Sequence, residues 1–165
     1  MALVQAITPC LWFDREAEEA AHFYVSIFPN SRVTDVARFG KAAHEAYRDR
    51  EGQVMTVAFD LDGRPFTALN GGPHFRFNEA VSLQVVCETQ EEIDRYWDLL
   101  SAGGDPKAQQ CGWLKDRFGL SWQVFPMALV DMITDPDAAK AQRATEAMLA
   151  MRKFDLAALR RAFEG

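Results

Sequence analysis

The sequence has only three cysteines, Cys10, Cys87 and Cys111, in 165 residues, and no two of them form a CxxC pair. An odd number at such spacing excludes a disulfide framework and a zinc knuckle, and fits reduced thiols buried as small apolar residues in a cytoplasmic protein. Histidine is as scarce. His22, His44 and His74 include no pair at helical or strand spacing, so no imidazole pair converges on an ion. Long apolar runs are missing too: none approaches the roughly 18 residues of a membrane helix, and the first residues lack the basic end and apolar stretch of a signal peptide, so no membrane association is expected. No basic run exceeds Arg152-Lys153 or Arg160-Arg161, and 18 basic against 24 acidic residues leave a net charge of -6. Such a chain repels a phosphate backbone, and nucleic acid is not an expected partner. What is present is a globular composition, 48% hydrophobic and 12% aromatic, enough for one domain over residues 1–165.

Leu3 to Phe13 reads as a strand that stops at Asp14, a residue able to cap a helix whose first turn carries Glu16, Glu18 and Glu19. Ala17, Ala20, Ala21, Tyr24, Ile27 and Phe28 recur at helical spacing until Pro29-Asn30 ends the run. Arg32 to Phe39 alternates as a strand, and Val54 to Leu61 and Phe66 to Asn70 flank the tight-turn dipeptide Asp62-Gly63 as a hairpin. After Gly71-Gly72-Pro73 the order restarts. Val81 to Cys87 is a strand, Thr89 and Glu92 form a capping box, and Ile93, Tyr96, Trp97 and Leu100 give the buried stripe of a helix closed by Gly103-Gly104. Short strands at Lys107 to Gln110, Gly112 to Lys115 and Leu120 to Pro126 follow, the last two joined by an Asp116 to Gly119 turn. Two further helices close the chain: one is expected to be capped by Asp135 with Pro136 at its first position, the other to run from Asp155 to Phe163.

The two helix starts lie 75 residues apart and the aromatic pairs Phe23-Tyr24 and Tyr96-Trp97 lie 73 apart, an offset that implies two copies of one βαβββ unit. The expected fold is therefore α+β. Two curved mixed sheets, each backed by its helix, form a cleft, with repeat 1 at about 3–72, repeat 2 at about 80–126 and a helical extension over 127–165. Such a cleft is a natural place for a small-molecule ligand.

Ile7 to Asp14, Ala68 to Pro73, Ser82 to Val85, Gln110 to Asp116 and Phe118 to Val124 together resemble the PhnB-like family, also named for 3-demethylubiquinone-9 3-methyltransferase. The resemblance is carried on through the Asp135-Pro136-Asp137 helix start. It implies the vicinal oxygen chelate superfamily, with glyoxalase I, bleomycin-resistance proteins and extradiol dioxygenases. The superfamily's enzymes hold a divalent metal with His, Gln and Glu side chains on the first and last strands of each unit. The corresponding positions here are Thr8-Pro9-Cys10, Asn70, Ser82-Leu83-Gln84 and Gln123, which include no His or Glu, so the expectation is that no metal is held. The methyltransferase label fares no better. A nucleotide cofactor is usually cradled by a glycine-rich loop between first strand and helix, and that junction reads Phe13-Asp14-Arg15-Glu16. No cofactor is expected.

The amides of Asn70, Gln84 and Gln123 either orient a polar ligand in the cleft or satisfy backbone groups and water inside the protein. Trp12, Trp113 and Trp122 suit stacking on a flat ligand, although aromatic residues on strands are most often core, the default for Trp122 in particular. Cys111 lacks a neighbouring imidazole or helix start that would make it a nucleophile. Three readings stand: a metal-free small-molecule binding protein using Trp12, Asn70, Gln84, Trp113 and Gln123; a lyase, isomerase or transferase of the superfamily; and an interaction module acting through dimer surfaces. The resemblance implies a homodimer. Met148, Met151, Phe154, Leu156, Leu159 and Phe163 need cover either from a second copy or from the chain's own sheet.

Overall fold

A computed structural model describes residues 7–41 and 45–165, so His44 and residues 3–6 of the expected first strand lie outside the described residues. The chain divides into two units, Met1–Arg76 and Phe77–Gly165, each with its own mixed sheet and helix. The fold class is α+β, as expected. No helix among the described residues is long and apolar enough to cross a membrane.

In the first unit β1 (Cys10–Phe13) leads into α1 (Ala17–Ile27), β2 (Arg32–Arg38), a 3-10 turn (Glu45–Arg50), β3 (Val54–Leu61) and β4 (Arg64–Asn70). The sheet order is β1-β4-β3-β2, with β1 parallel to β4 and the other pairs antiparallel. Asp62 and Gly63 carry φ of 48° and 71°, the two left-handed positions that a two-residue hairpin of this hand requires. Ala17, Ala20 and Ala21 are fully buried and let α1 sit close on the sheet, while Tyr24 stacks with Phe59 and Phe59 with Phe66. Alternation then divides the sheet. Leu11, Phe13, Val57, Phe59, Phe66, Ala68 and Asn70 are buried, and Trp12, Thr56, Thr67 and Leu69 fall on the other face, half-buried.

Asp14 does not cap α1. The residue before the helix is Glu16, whose side chain makes no capping bond, and the Ala17 N–H is met at 2.8 Å by the side-chain oxygen of Asn70. A strand end supplies the acceptor that local sequence was expected to supply, because β4 carries Asn70 under the first turn of the helix.

The second unit runs β5 (Ser82–Cys87), α2 (Gln90–Ser101), β6 (Trp113–Lys115) and β7 (Ser121–Pro126), in sheet order β5-β7-β6. Its first strand lies parallel to its last, as β1 does to β4, and the last pairs antiparallel with the one before it. Thr89 and Glu92 form the expected capping box. The expected strand over Lys107 to Gln110 is not formed. Asp105 accepts from the Lys107 N–H at 2.9 Å and Pro106 opens a 3-10 turn (Pro106–Ala108), so local capping by a residue pair that includes a missing N–H overrides the ladder. Only Gln110 bridges to Trp113, and the second unit has one strand fewer than the first.

Three helices follow: α3 (Met127–Ile133), α4 (Ala138–Ala150) and α5 (Leu156–Glu164). The cap of α4 is Asp137, not Asp135: its carboxylate accepts from the N–H groups of Ala139 and Lys140, while Asp135 accepts from Asp137 itself. Asp155 caps α5 as expected. Leu129, Met132, Ala144, Phe154 and Leu159 form a core against which Phe125 and Cys111 also pack, so the extension packs on β7 of its own unit and on itself. Two backbone bonds fasten it there, Cys111 N–H to Met151 at 2.8 Å and Gly112 N–H to Arg152 at 2.7 Å. Gly112 has φ of 77° and a Cβ there would stand 2.4 Å from the Phe154 ring, so position 112 admits glycine alone.

Candidate functional site

Register fixes which side chains of the second sheet share a face. Leu83, Val85, Leu114, Trp122 and Val124 lie on one side, with α2 presenting Ile93, Trp97 and Leu100 as buried residues of the same unit. The opposite face carries three rungs. Ser82, Ser121 and Lys115 form the first, Gln84, Gln123 and Trp113 the second, Val86 and Phe125 the third. Polarity therefore falls steadily along β7, from hydroxyls and an ammonium group through amides to apolar carbon.

Three of the five residues nominated from sequence, Gln84, Gln123 and Trp113, stand side by side in the middle rung. Gln84 is exposed, and Gln123 and Trp113 are half-buried. The Gln123 side-chain amide donates to the Ser82 hydroxyl oxygen at 2.8 Å, which commits one of its two polar ends and leaves its oxygen as an acceptor. Ser121 is 1% exposed and its hydroxyl has no partner among the described residues. Lys115 is held by Glu79, whose carboxyl the ammonium group draws below its ordinary range. Sequence reasoning passed over Ser121, Lys115 and Glu79. The available signal was the two-residue period, which puts Ser121 beside Gln123 and Ser82 beside Gln84 on one face.

The other two nominated residues belong to the first unit and lie on opposite faces of its sheet. Trp12 is opposite Leu69 on the helix-free side; its indole N–H donates to Gly72 at 2.8 Å and its ring meets Phe75 edge-on at 4.9 Å. A Cβ at Gly71 would stand 2.2 Å from that ring, so the indole lies flat against bare backbone. Asn70 is opposite Phe13 on the buried side. Besides accepting from Ala17 it donates to the Val54 carbonyl at 3.0 Å, so both ends of its amide are used to join α1, β4 and β3.

His22 and His74 are exposed and far apart in their unit's chain. Burial pushes the thiols of Cys10 and Cys111 up and that of Cys87 to about 12, so none is an activated nucleophile at neutral pH. Among the described residues no three His, Cys, Asp or Glu side chains come together as a metal would require. A groove between α2 and α5 has Asp94 paired with Lys153 at 2.7 Å and Gln90 bonded to Phe154 and Leu156, and is lined further by Arg160 and Arg161.

The family model for 3-demethylubiquinone-9 3-methyltransferase matches residues 5–125. The chain belongs to that family. A PhnB protein of this kind from Bacillus cereus is 35% identical, with 74% of this chain and 99% of that one covered and a TM-score of 0.62. A protein from Pseudomonas aeruginosa shares the fold at 20% identity, covering 74% of this chain and 98% of the other, with a TM-score of 0.58. A glyoxylase/bleomycin resistance protein/dioxygenase domain from Frankia is 14% identical over 76% of this chain and 93% of its own length, at a TM-score of 0.49. No curated protein matches the chain. The PhnB-like family thus accounts for both sheets, whereas α3, α4 and α5 lie beyond the matched span, which ends before the Asp135-Pro136-Asp137 start that the sequence resemblance had included.

Proposed function

We propose that this PhnB-like chain is a small-molecule binding protein whose ligand lies on the face of its second sheet opposite α2, over the rungs short of Phe125, where the helical extension packs. The observation that carries the reading is the Gln84, Gln123 and Trp113 rung: two amides and an indole on one face, none of them consumed by the core beneath. Amides there orient polar atoms of a ligand, and the indole offers it a flat apolar wall.

The donor set does not fit the divalent metal that the superfamily's enzymes hold. At the corresponding strand positions Asn70 is spent on Ala17 and Val54, and Gln84 and Gln123 are neutral amides that cannot repay a cation's dehydration. No catalytic step is derived through a metal. Protein purified without added metal is expected to carry well under one equivalent of zinc, nickel, iron or manganese, and a chelator is expected to leave its thermal midpoint unchanged. Elemental analysis finding a full equivalent would restore the metalloenzyme reading.

Mass spectrometry of compounds released from the natively purified protein is expected to find a copurifying small molecule, absent from a Gln123→Ala, Trp113→Ala double variant that melts normally. Equal recovery from the wild type and the variant would place the ligand elsewhere. The proposed homodimer would use the apolar residues that α3 leaves exposed, Met127, Val130 and Ile133.

A further inference from the structure

Resting on that reading, we infer that the polar rung of the face is a receptor for an anionic oxygen group, so that the ligand is a short organic acid with its headgroup at Ser82, Ser121 and Lys115 and its apolar body over Trp113. The argument is a count of donors. Gln123 already donates to the Ser82 oxygen, which leaves the Ser82 proton to be given away. Ser121, 1% exposed, has a hydroxyl with no partner among the described residues, a cost that an incoming acceptor would relieve. Lys115, in register beside it, adds an ammonium group whose side chain is only 24% exposed. Three donors thus stand in one row.

The acceptor that meets Lys115 is Glu79. Glu79 reaches Lys115 with a side chain that is 64% exposed, so the pair is a surface contact that holds its partner weakly. Its carboxylate occupies the ammonium group in the way a ligand's oxyanion would. An incoming acid that takes Lys115 from Glu79 and also accepts from Ser121 and Ser82 makes charge-assisted bonds that Glu79 does not make. The next rung lies about 7 Å along the strand, so an aromatic or aliphatic body carried two carbons from the headgroup meets Gln84, Gln123 and Trp113. A carboxylate and a phosphonate share the required chemistry, and the test separates them.

Titration calorimetry with 3-phenylpropionate, 2-phenylethylphosphonate and the neutral 3-phenylpropionamide decides the matter. At least one acid is expected to bind roughly tenfold or more tightly than the amide, and the tighter acid names the headgroup. Lys115→Met should erase that preference while amide binding persists. Glu79→Gln should tighten the acids by up to about fivefold, since it removes their competitor. Ser121→Ala should weaken the acids roughly tenfold while the empty protein melts no lower, because an orphaned hydroxyl is being removed. Acid and amide binding with equal affinity, or an acid preference that survives Lys115→Met, overturns the inference and leaves the small-molecule reading standing. If none of the three binds at about 10 mM, both fail together.

Discussion

Replacing Asp116 by alanine is expected to destabilise the second unit by about 3–5 kcal/mol. Asp116 is 2% exposed and accepts from the Trp122 indole N–H at 2.8 Å, the Phe118 N–H at 2.8 Å and the Leu120 N–H at 3.1 Å. The same turn is closed by its backbone, Gly119 N–H to Asp116 at 2.9 Å and Asp116 N–H to Leu120 at 3.0 Å. Alanine keeps those backbone bonds but leaves three donors facing a void, and a buried unsatisfied donor costs about 1–3 kcal/mol. Asp116→Asn retains an oxygen for the turn and loses about half as much, because its NH2 group cannot accept from whichever donor it meets. Urea unfolding followed by tryptophan fluorescence measures this directly, since Trp122 reports on the contact itself. A loss below about 1 kcal/mol for the alanine variant would mean that the carboxylate does not organise the turn.

Asn70→Ala is expected to cost the first unit about 2–4 kcal/mol and to leave acid or amide binding on the second sheet unchanged within about twofold. The side chain joins three elements through two bonds, to the Ala17 N–H at 2.8 Å and the Val54 carbonyl at 3.0 Å, and its residue is 6% exposed. Removing it strips α1 of its N-terminal acceptor and leaves a buried carbonyl without a donor. Asn70→Asp can restore the first bond but not the second. Thermal melts and calorimetry on the same preparation separate the two roles once weighed for this residue: a variant that melts normally but binds less tightly would return Asn70 to the ligand site. Gln123→Ala is the natural contrast, expected to lose affinity with little loss of stability, because Gln123 is half-buried and its side chain donates to the Ser82 hydroxyl rather than to core backbone.

These expectations differ for two amides that look alike in the sequence, and the reason is parity. Both Asn70 and Gln123 lie on the last strand of their unit, and both were nominated as cleft amides. Asn70 pairs with Phe13 across β1 and β4, which puts it on the buried face, whereas Gln123 pairs with Gln84 and Trp113 on the open face. A shift of one residue exchanges the two faces, and nothing in the local run Thr67-Ala-Leu-Asn70 says which applies. The same limit explains why Asp14 was expected to cap α1: acidic residues before a helix are a good local signal, but the acceptor in place comes from a residue 53 positions away.

Local chemistry was sufficient for several contacts between groups close in sequence, although it put the α4 cap at Asp135 instead of Asp137 and a strand where Asp105 closes a 3-10 turn. The Thr89 and Glu92 capping box, the Asp62-Gly63 hairpin, the Asp155 cap and the apolar stripe of α2 are each closed within a few residues, so spacing alone determines them. Residue types also determined that the face would be amide-rich and poor in metal ligands. Tertiary structure decided the rest: that Gln84, Gln123 and Trp113 share a rung, that Ser121 is buried beside Lys115 with its hydroxyl unpaired, and that the extension packs on Phe125 and Cys111 of its own unit. Periodicity in a sequence sets how often a side chain faces the core, but its phase is set by strands pairing over long distances, where the burial of many residues at once selects a single register.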